Sequence, residues 1–137
     1  MKIIPMINFN GQCDEAIELY KKAFNCTVRC LLHYSDAVNN GWEQPNPELD
    51  RRVYHSEILF GDQEVRFCDC SMEEAELSQK VVQAVSFDTA EEVEASFTIL
   101  SEGGEVIQPL SRPPFLVIIG TVRDKFGIQW QLVCDYK

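Results

Sequence analysis

Basic residues are scarce in this chain: 12 Lys and Arg stand against 22 Asp and Glu, a formal net charge of −10. Nucleic-acid affinity is largely counterion release from cation–phosphate contacts, so a polyanionic partner is excluded, and an anionic membrane surface is disfavoured for the same reason. Long apolar runs are missing too. The run from Pro113 to Gly120 is too short to span a bilayer. The apolar start, Met1 to Phe9, is broken by Pro5 and followed by Asn10-Gly11-Gln12 and a charged segment, which is not the pattern of an export signal. A cytoplasmic protein with no membrane contact is expected. The seven glycines form no glycine-rich nucleotide loop.

Cysteine is present six times, yet a disulfide framework is not expected at 137 residues without an export signal. Cys13, Cys26, Cys30 and Cys134 have apolar neighbours and read as buried free thiols. Cys68 and Cys70 stand apart, alternating on one strand. A hydrophobic fraction of 45% excludes disorder, and the length fits one compact domain or two small fused modules.

The chain reads as a repeat. Lys2 to Phe9 is an apolar strand, and Cys13, Ala16, Ile17, Tyr20, Ala23 and Phe24 recur at the three-and-four spacing of one helix face, ended at Asn25. Thr27 to Tyr34 is extended, and a long polar loop containing Asn39-Asn40-Gly41, Pro45 and Pro47 follows. Arg52 to Phe60 and Gln63 to Cys70 flank Gly61-Asp62 as a hairpin. After an acidic linker, 71–80, the pattern restarts. Val81 to Phe87 is a strand, Thr89 and Glu92 are spaced as a capping box, and Val93, Phe97 and Leu100 form a second helical stripe that Gly103-Gly104 stops. Glu105 to Leu110, Phe115 to Arg123 and Ile128 to Cys134 are strands. Phe9 to Val28 superimposes on Phe87 to Val106 at an offset of 78 (87 − 9), and Phe67 falls on Trp130 at an offset of 63 (130 − 67). Each half is β-α-β-β-β. The expectation is an α+β fold in which paired βαβββ modules, 1–70 and 81–137, form a single domain over 1–137 with a curved mixed sheet and a concave cup.

Asn8-Phe9-Asn10-Gly11, Asp14-Glu15-Ala16-Ile17-Glu18-Leu19-Tyr20, His55, Glu91-Glu92-Val93 and Asp124-Lys125-Phe126-Gly127-Ile128-Gln129-Trp130 resemble the PhnB-like branch of the vicinal-oxygen-chelate superfamily. Glyoxalase I, bleomycin-resistance proteins, fosfomycin-resistance enzymes and extradiol dioxygenases belong to that superfamily. The branch is often labelled demethylubiquinone methyltransferase-like. The resemblance covers essentially the whole chain. It implies the glyoxalase/bleomycin-resistance fold, a homodimer and, in catalytic relatives, a divalent metal held by His, Glu or Gln from the first and last strand of each module.

Carried across, the four metal positions fall on Ile4 (or Met6), Cys68 (or Arg66), Val82 and Gln131. Two of them are aliphatic, and one amide plus one thiol does not satisfy Mg, Mn or Fe, so no metal is expected there. No other cofactor is expected, and a divalent metal elsewhere stays open. His55 and Glu57 share a strand face and form either an acid/base pair or a hydrogen-bonded pocket lining without chemistry. Arg66 sits where it could activate Cys68 or Cys70, and either thiol is alternatively a small pocket-lining residue. Gln129 and Gln131 complete the expected pocket with Trp42, a loop aromatic that either covers a ligand or partner or packs locally. His33 reads as ordinary rim surface, and Trp130 as core.

These features support a protein that binds a small organic molecule in its cup. The alternatives are a metal-dependent lyase, isomerase or dioxygenase of the same superfamily, and a structural module whose cup is filled by side chains.

Overall fold

A computed structural model describes residues 2–39, 47–69, 81–114 and 116–137. The chain divides into two compact units, Met1–Glu76 and Leu77–Lys137. The linker expected at 71–80 lies outside the described residues, as do Trp42 and Cys70. Among the described residues, no helix is long and apolar enough to cross a membrane.

The first unit runs β1 (Met6–Phe9), α1 (Cys13–Phe24), β2 (Thr27–His33), α2 (Tyr34–Asn39), a 3₁₀ turn at Pro47–Leu49, β3 (Val53–Phe60) and β4 (Gln63–Asp69). Its sheet order is β1-β4-β3-β2, with β1 parallel to β4 and the other pairs antiparallel. The helical stripe read from the sequence is the buried face of α1: Cys13, Ala16, Ile17, Tyr20 and Ala23 all point into the core. Asp14 and Glu15 in its first turn and Lys21 and Lys22 in its last complement the helix dipole. Asn25 ends it in the left-handed conformation at φ 52°, its N–H donating to the Lys21 carbonyl.

Rings from α1 and the sheet interlock beneath that stripe. Tyr20 lies 5.3 Å from Phe67, Phe24 lies 5.2 Å from Phe60, and Phe9 meets Phe67 edge-on at 5.8 Å. These contacts establish which way the strands face. Ser56, Ile58 and Phe60 of β3 and Val65, Phe67 and Asp69 of β4 point toward α1, and the residues between them point away from it.

The second unit runs β5 (Gln83–Ser86), α3 (Ala90–Ser101), β6 (Glu105–Ser111), β7 (Ile118–Arg123) and β8 (Gln129–Cys134), in sheet order β5-β8-β7-β6. Thr89 caps α3, its Oγ1 accepting from the Glu92 N–H at 3.2 Å and donating to the Glu92 carboxylate at 3.0 Å. Trp130 is buried, as the sequence reading expects, with its indole N–H donating to Asp124 Oδ2 at 2.8 Å. The other Asp124 oxygen accepts from the N–H groups of Phe126 and Ile128, so one carboxylate shapes the β7–β8 turn. Gly120 faces α3 where a Cβ would sit 2.8 Å from both Phe97 and Leu110.

Each unit is thus βαβββ with the same strand order, α+β in class, with two mixed four-stranded sheets among the described residues. Several element bounds differ from the sequence reading. The first strand pairs only from Met6, since Pro5 has no N–H to donate to the ladder, although its carbonyl accepts from Arg66. Likewise β7 begins at Ile118, after Pro113-Pro114, rather than at Phe115. The stretch after His33, read as loop, opens with α2 instead. There Asp36 reaches back to accept from the His33 N–H at 2.8 Å, half of a capping box.

The strand registers also revise the repeat. β1 places Ile7 beside Phe67, and β5 places Gln83 beside Trp130. With the closing strands related by 63 (130 − 67), the opening strands are related by 76 (83 − 7), not 78. A shift of two keeps every side chain on its face while moving it along the strand.

Candidate functional site

The sheet face turned away from α1 is where the chemistry of the first unit collects. Alternation puts His55, Glu57 and Leu59 of β3 and Glu64, Arg66 and Cys68 of β4 on it. A β-bulge brings β2 into register with them. Val28 pairs with Ile58, but Cys30 rather than Arg29 pairs with Glu57, so Arg29 is the extra residue. Two residues then stand opposite one, and both Arg29 and Cys30 reach Glu57.

The side chains form a linked array. His55 Nε2 lies 2.8 Å from Glu57 Oε2, and Arg29 donates from Nε to Glu57 Oε1 at 2.9 Å. Arg29 also contacts Glu64, which accepts from Arg66 Nε at 2.7 Å. Hydrogen bonds from His55 and then Arg29 hold the Glu57 carboxyl below the usual carboxylate range. Arg66, then Arg29, do the same for Glu64. Two carboxylates thus alternate with two guanidiniums and the His55 ring along the array. One end of it opens into a cavity of about 330 Å³ lined by Arg29, Leu59, Glu64, Ile4 and Asp62 among others.

Cys30 is half-exposed and belongs to this array, which corrects the expectation of a core thiol; Cys13, Cys26 and Cys134 are buried as expected. Burial raises the Cys13 thiol well above the ordinary value, with Asp69 adding to the effect, and raises the Cys26 thiol too. All five described cysteines are free.

Cys68 is buried and donates from Sγ to Asn8 Oδ1 at 2.9 Å, its register neighbour on β1. Gln129 and Gln131 lie on the face of the second sheet turned away from α3, half-buried, with Gln131 beside Ala84 and Thr121. His33 is not bare rim surface: its ring bonds the Asp14 carboxylate at 2.9 Å, joining the end of β2 to the start of α1.

The four positions of the family's metal do not make a ligand set here. Ile4 and Val82 offer no donor atom, the Cys68 thiol is engaged with Asn8, and only the Gln131 amide remains. Nor do the strands align Ile4 with Cys68, which neighbours Asn8, or Val82 with Gln131, which neighbours Ala84; the alternatives Met6 and Arg66 do pair, but a thioether and a guanidinium give a hard ion no oxygen ligand. These residues do not fit a hard divalent ion. Sequence reasoning missed Arg29, Cys30 and Glu64. Strand alternation alone separates Arg29 from Cys30, and the bulge that reunites them leaves no local sequence signal.

The family profile described as 3-demethylubiquinone-9 3-methyltransferase matches residues 1–133. Among solved structures, protein PA1353 from Pseudomonas aeruginosa is similar with a TM-score of 0.84 at 24% identity, covering 100% of this chain and 99% of that one. The PhnB protein from Bacillus cereus gives a TM-score of 0.81 at 24% identity, covering 98% and 99%. The fosfomycin resistance protein FosX from Listeria monocytogenes gives 0.67 at 11%, covering 99% and 93%. At such identities these likenesses establish the fold. No curated protein sequence matches the chain at a significant level. The twice-repeated βαβββ unit has the fold of these structures, and with the profile spanning nearly its full length the chain belongs to the 3-demethylubiquinone-9 3-methyltransferase family.

Proposed function

We propose that this chain binds a small organic molecule on the face of its first sheet turned away from α1, without a catalytic metal at Ile4, Cys68, Val82 and Gln131. The observation that carries the reading is the His55–Glu57–Arg29–Glu64–Arg66 array beside a cavity of about 330 Å³. An exposed sheet face needs no ordered chain of five ionisable groups for stability, because solvated ion pairs contribute little. Preset donors and acceptors next to apolar Ile4 and Leu59 suit a compact ligand with a polar rim and a flat or apolar body. In keeping with the family resemblance, the protein acts as a cytoplasmic homodimer, an assembly that sedimentation measures directly.

A second reading, an enzyme of the same superfamily, draws on the His55–Glu57 contact, in which the carboxylate would orient His55 as a base. Methyl transfer has no such support, since the sequence offers no glycine-rich nucleotide loop.

Thermal unfolding of chelator-treated protein with catechols, glutathione thioadducts, glycopeptide drugs, Mg²⁺ and Mn²⁺ separates these readings, since a ligand specific for the folded state raises the melting temperature by mass action. At least one organic class is expected to stabilise the protein without turnover. Stabilisation by Mg²⁺ or Mn²⁺ alone overturns the binding reading, and turnover abolished by His55→Gln replaces it with the enzyme.

A further inference from the structure

The bulge in β2 has placed three different ligand types together. The ligand atoms of Cys30, His55 and Glu57 all lie within 4.8 Å of one another, and all three residues are half-buried. We propose that they form a binding site for a borderline divalent transition-metal ion, zinc or a chemical equivalent such as Co²⁺, distinct from the family's usual metal positions.

Three arguments carry this. The first is distance. Bonds of about 2.0–2.3 Å in tetrahedral zinc sites set donors roughly 3.5 Å apart, so the three side chains need only small adjustments to reach one ion. The hydrogen bond that joins His55 and Glu57 at 2.8 Å would open slightly to admit it. The second is chemistry. A thiolate, an imidazole and a carboxylate suit zinc-like ions and are poor company for Mg²⁺ or Ca²⁺, which want oxygen alone. Binding displaces the Cys30 thiol proton to solvent.

The third is support around the ligands. His55 and Glu57 are two residues apart on one strand, and Cys30 is fixed opposite Glu57 by the ladder. Arg29 donates to Glu57 Oε1, which leaves Oε2 on the His55 side for the ion and orients the carboxylate from outside. Three protein ligands leave one position for water or for a donor atom of a bound molecule, and half-burial keeps that position accessible.

The test uses the full chain, stripped with chelator, dialysed and titrated with Co²⁺. One equivalent is expected to produce the visible bands of tetrahedral cobalt and a near-ultraviolet thiolate-to-cobalt charge-transfer band, both bleached by Zn²⁺. Cys30→Ser should remove the charge-transfer band, and His55→Gln or Glu57→Gln should weaken binding tenfold or more, each with unchanged far-ultraviolet dichroism. Cys68→Ser should leave the spectrum intact. No cobalt spectrum from folded protein, a charge-transfer band that survives Cys30→Ser, or one lost in Cys68→Ser overturns the site. This outcome is independent of the organic-ligand reading, which is measured on metal-free protein.

Discussion

Asp69 shows how much one side chain can hold. It is 4% exposed, and its Oδ1 accepts from the N–H groups of Gly11 at 2.7 Å and Cys13 at 3.1 Å, while its Oδ2 accepts from Val53 at 2.9 Å. It therefore caps α1, where the Gln12 side chain does not, and ties the entry of β3 to the end of β4. Leaving a buried donor unmet costs about 1–3 kcal/mol, and the Cys13 and Val53 donors are both buried. Asp69→Ala should lower unfolding free energy by at least about 2 kcal/mol in chemical denaturation, and Asp69→Asn, which keeps one acceptor, by less. Glu64 gives a pH signature. Its carboxyl is held below the ordinary range by Arg66 and Arg29, so its contribution is fully present above the unfolded value of about 4.3 and fades as pH falls through the lowered folded value. The stability advantage of wild type over Glu64→Gln should be constant above about pH 5 and shrink below about pH 4 in denaturation curves.

At the scale of elements, the cores are aromatic below α1 and close-packed below α3. Phe67 is 0% exposed and touches Phe9, Tyr20 and Phe60, so Phe67→Ala should cost about 3–5 kcal/mol. Gly120→Ala should cost about 1–3 kcal/mol, because its methyl group would press on Phe97 and Leu110 and force them aside. Both losses are readable as shifts in denaturation midpoint. Which elements could be foreseen follows from how local their causes are. The stripe of α1, the Thr89 cap and the Gly61 turn are written within a few residues, and the structure places them where the periodicity does. The Asp69 cap acts across 56–58 residues, and the β2 bulge depends on the partner strand, so neither leaves a pattern in its own segment. That is why Cys30, with apolar neighbours in sequence, reads as core while lying beside Glu57.

At the scale of the molecule, two βαβββ units with one strand order have diverged in what they carry on the face away from the helix. The first sheet bears His55, Glu57, Arg29, Glu64 and Arg66, whereas the second bears Gln129, Gln131 and Thr121, with Thr121 hydrogen-bonded to Gln108 at 3.3 Å, and the Arg123–Glu105 ion pair at 2.6 Å. The repeat was visible in the sequence because helix stripe, stop and hairpin recur in order. Its opening-strand offset was not, since moving a strand by two preserves the alternation on which the superposition relies. The proposed binding surface follows that divergence: it is the charged face of the first sheet rather than the family's metal positions. Amide chemical-shift mapping on chelator-treated protein, titrated with whichever catechol, thioadduct or glycopeptide stabilises it most, tests this directly. The account predicts perturbations centred on Arg29, Cys30, His55, Glu57, Glu64 and Arg66, and perturbations confined to Val82, Gln131 and their neighbours would contradict it.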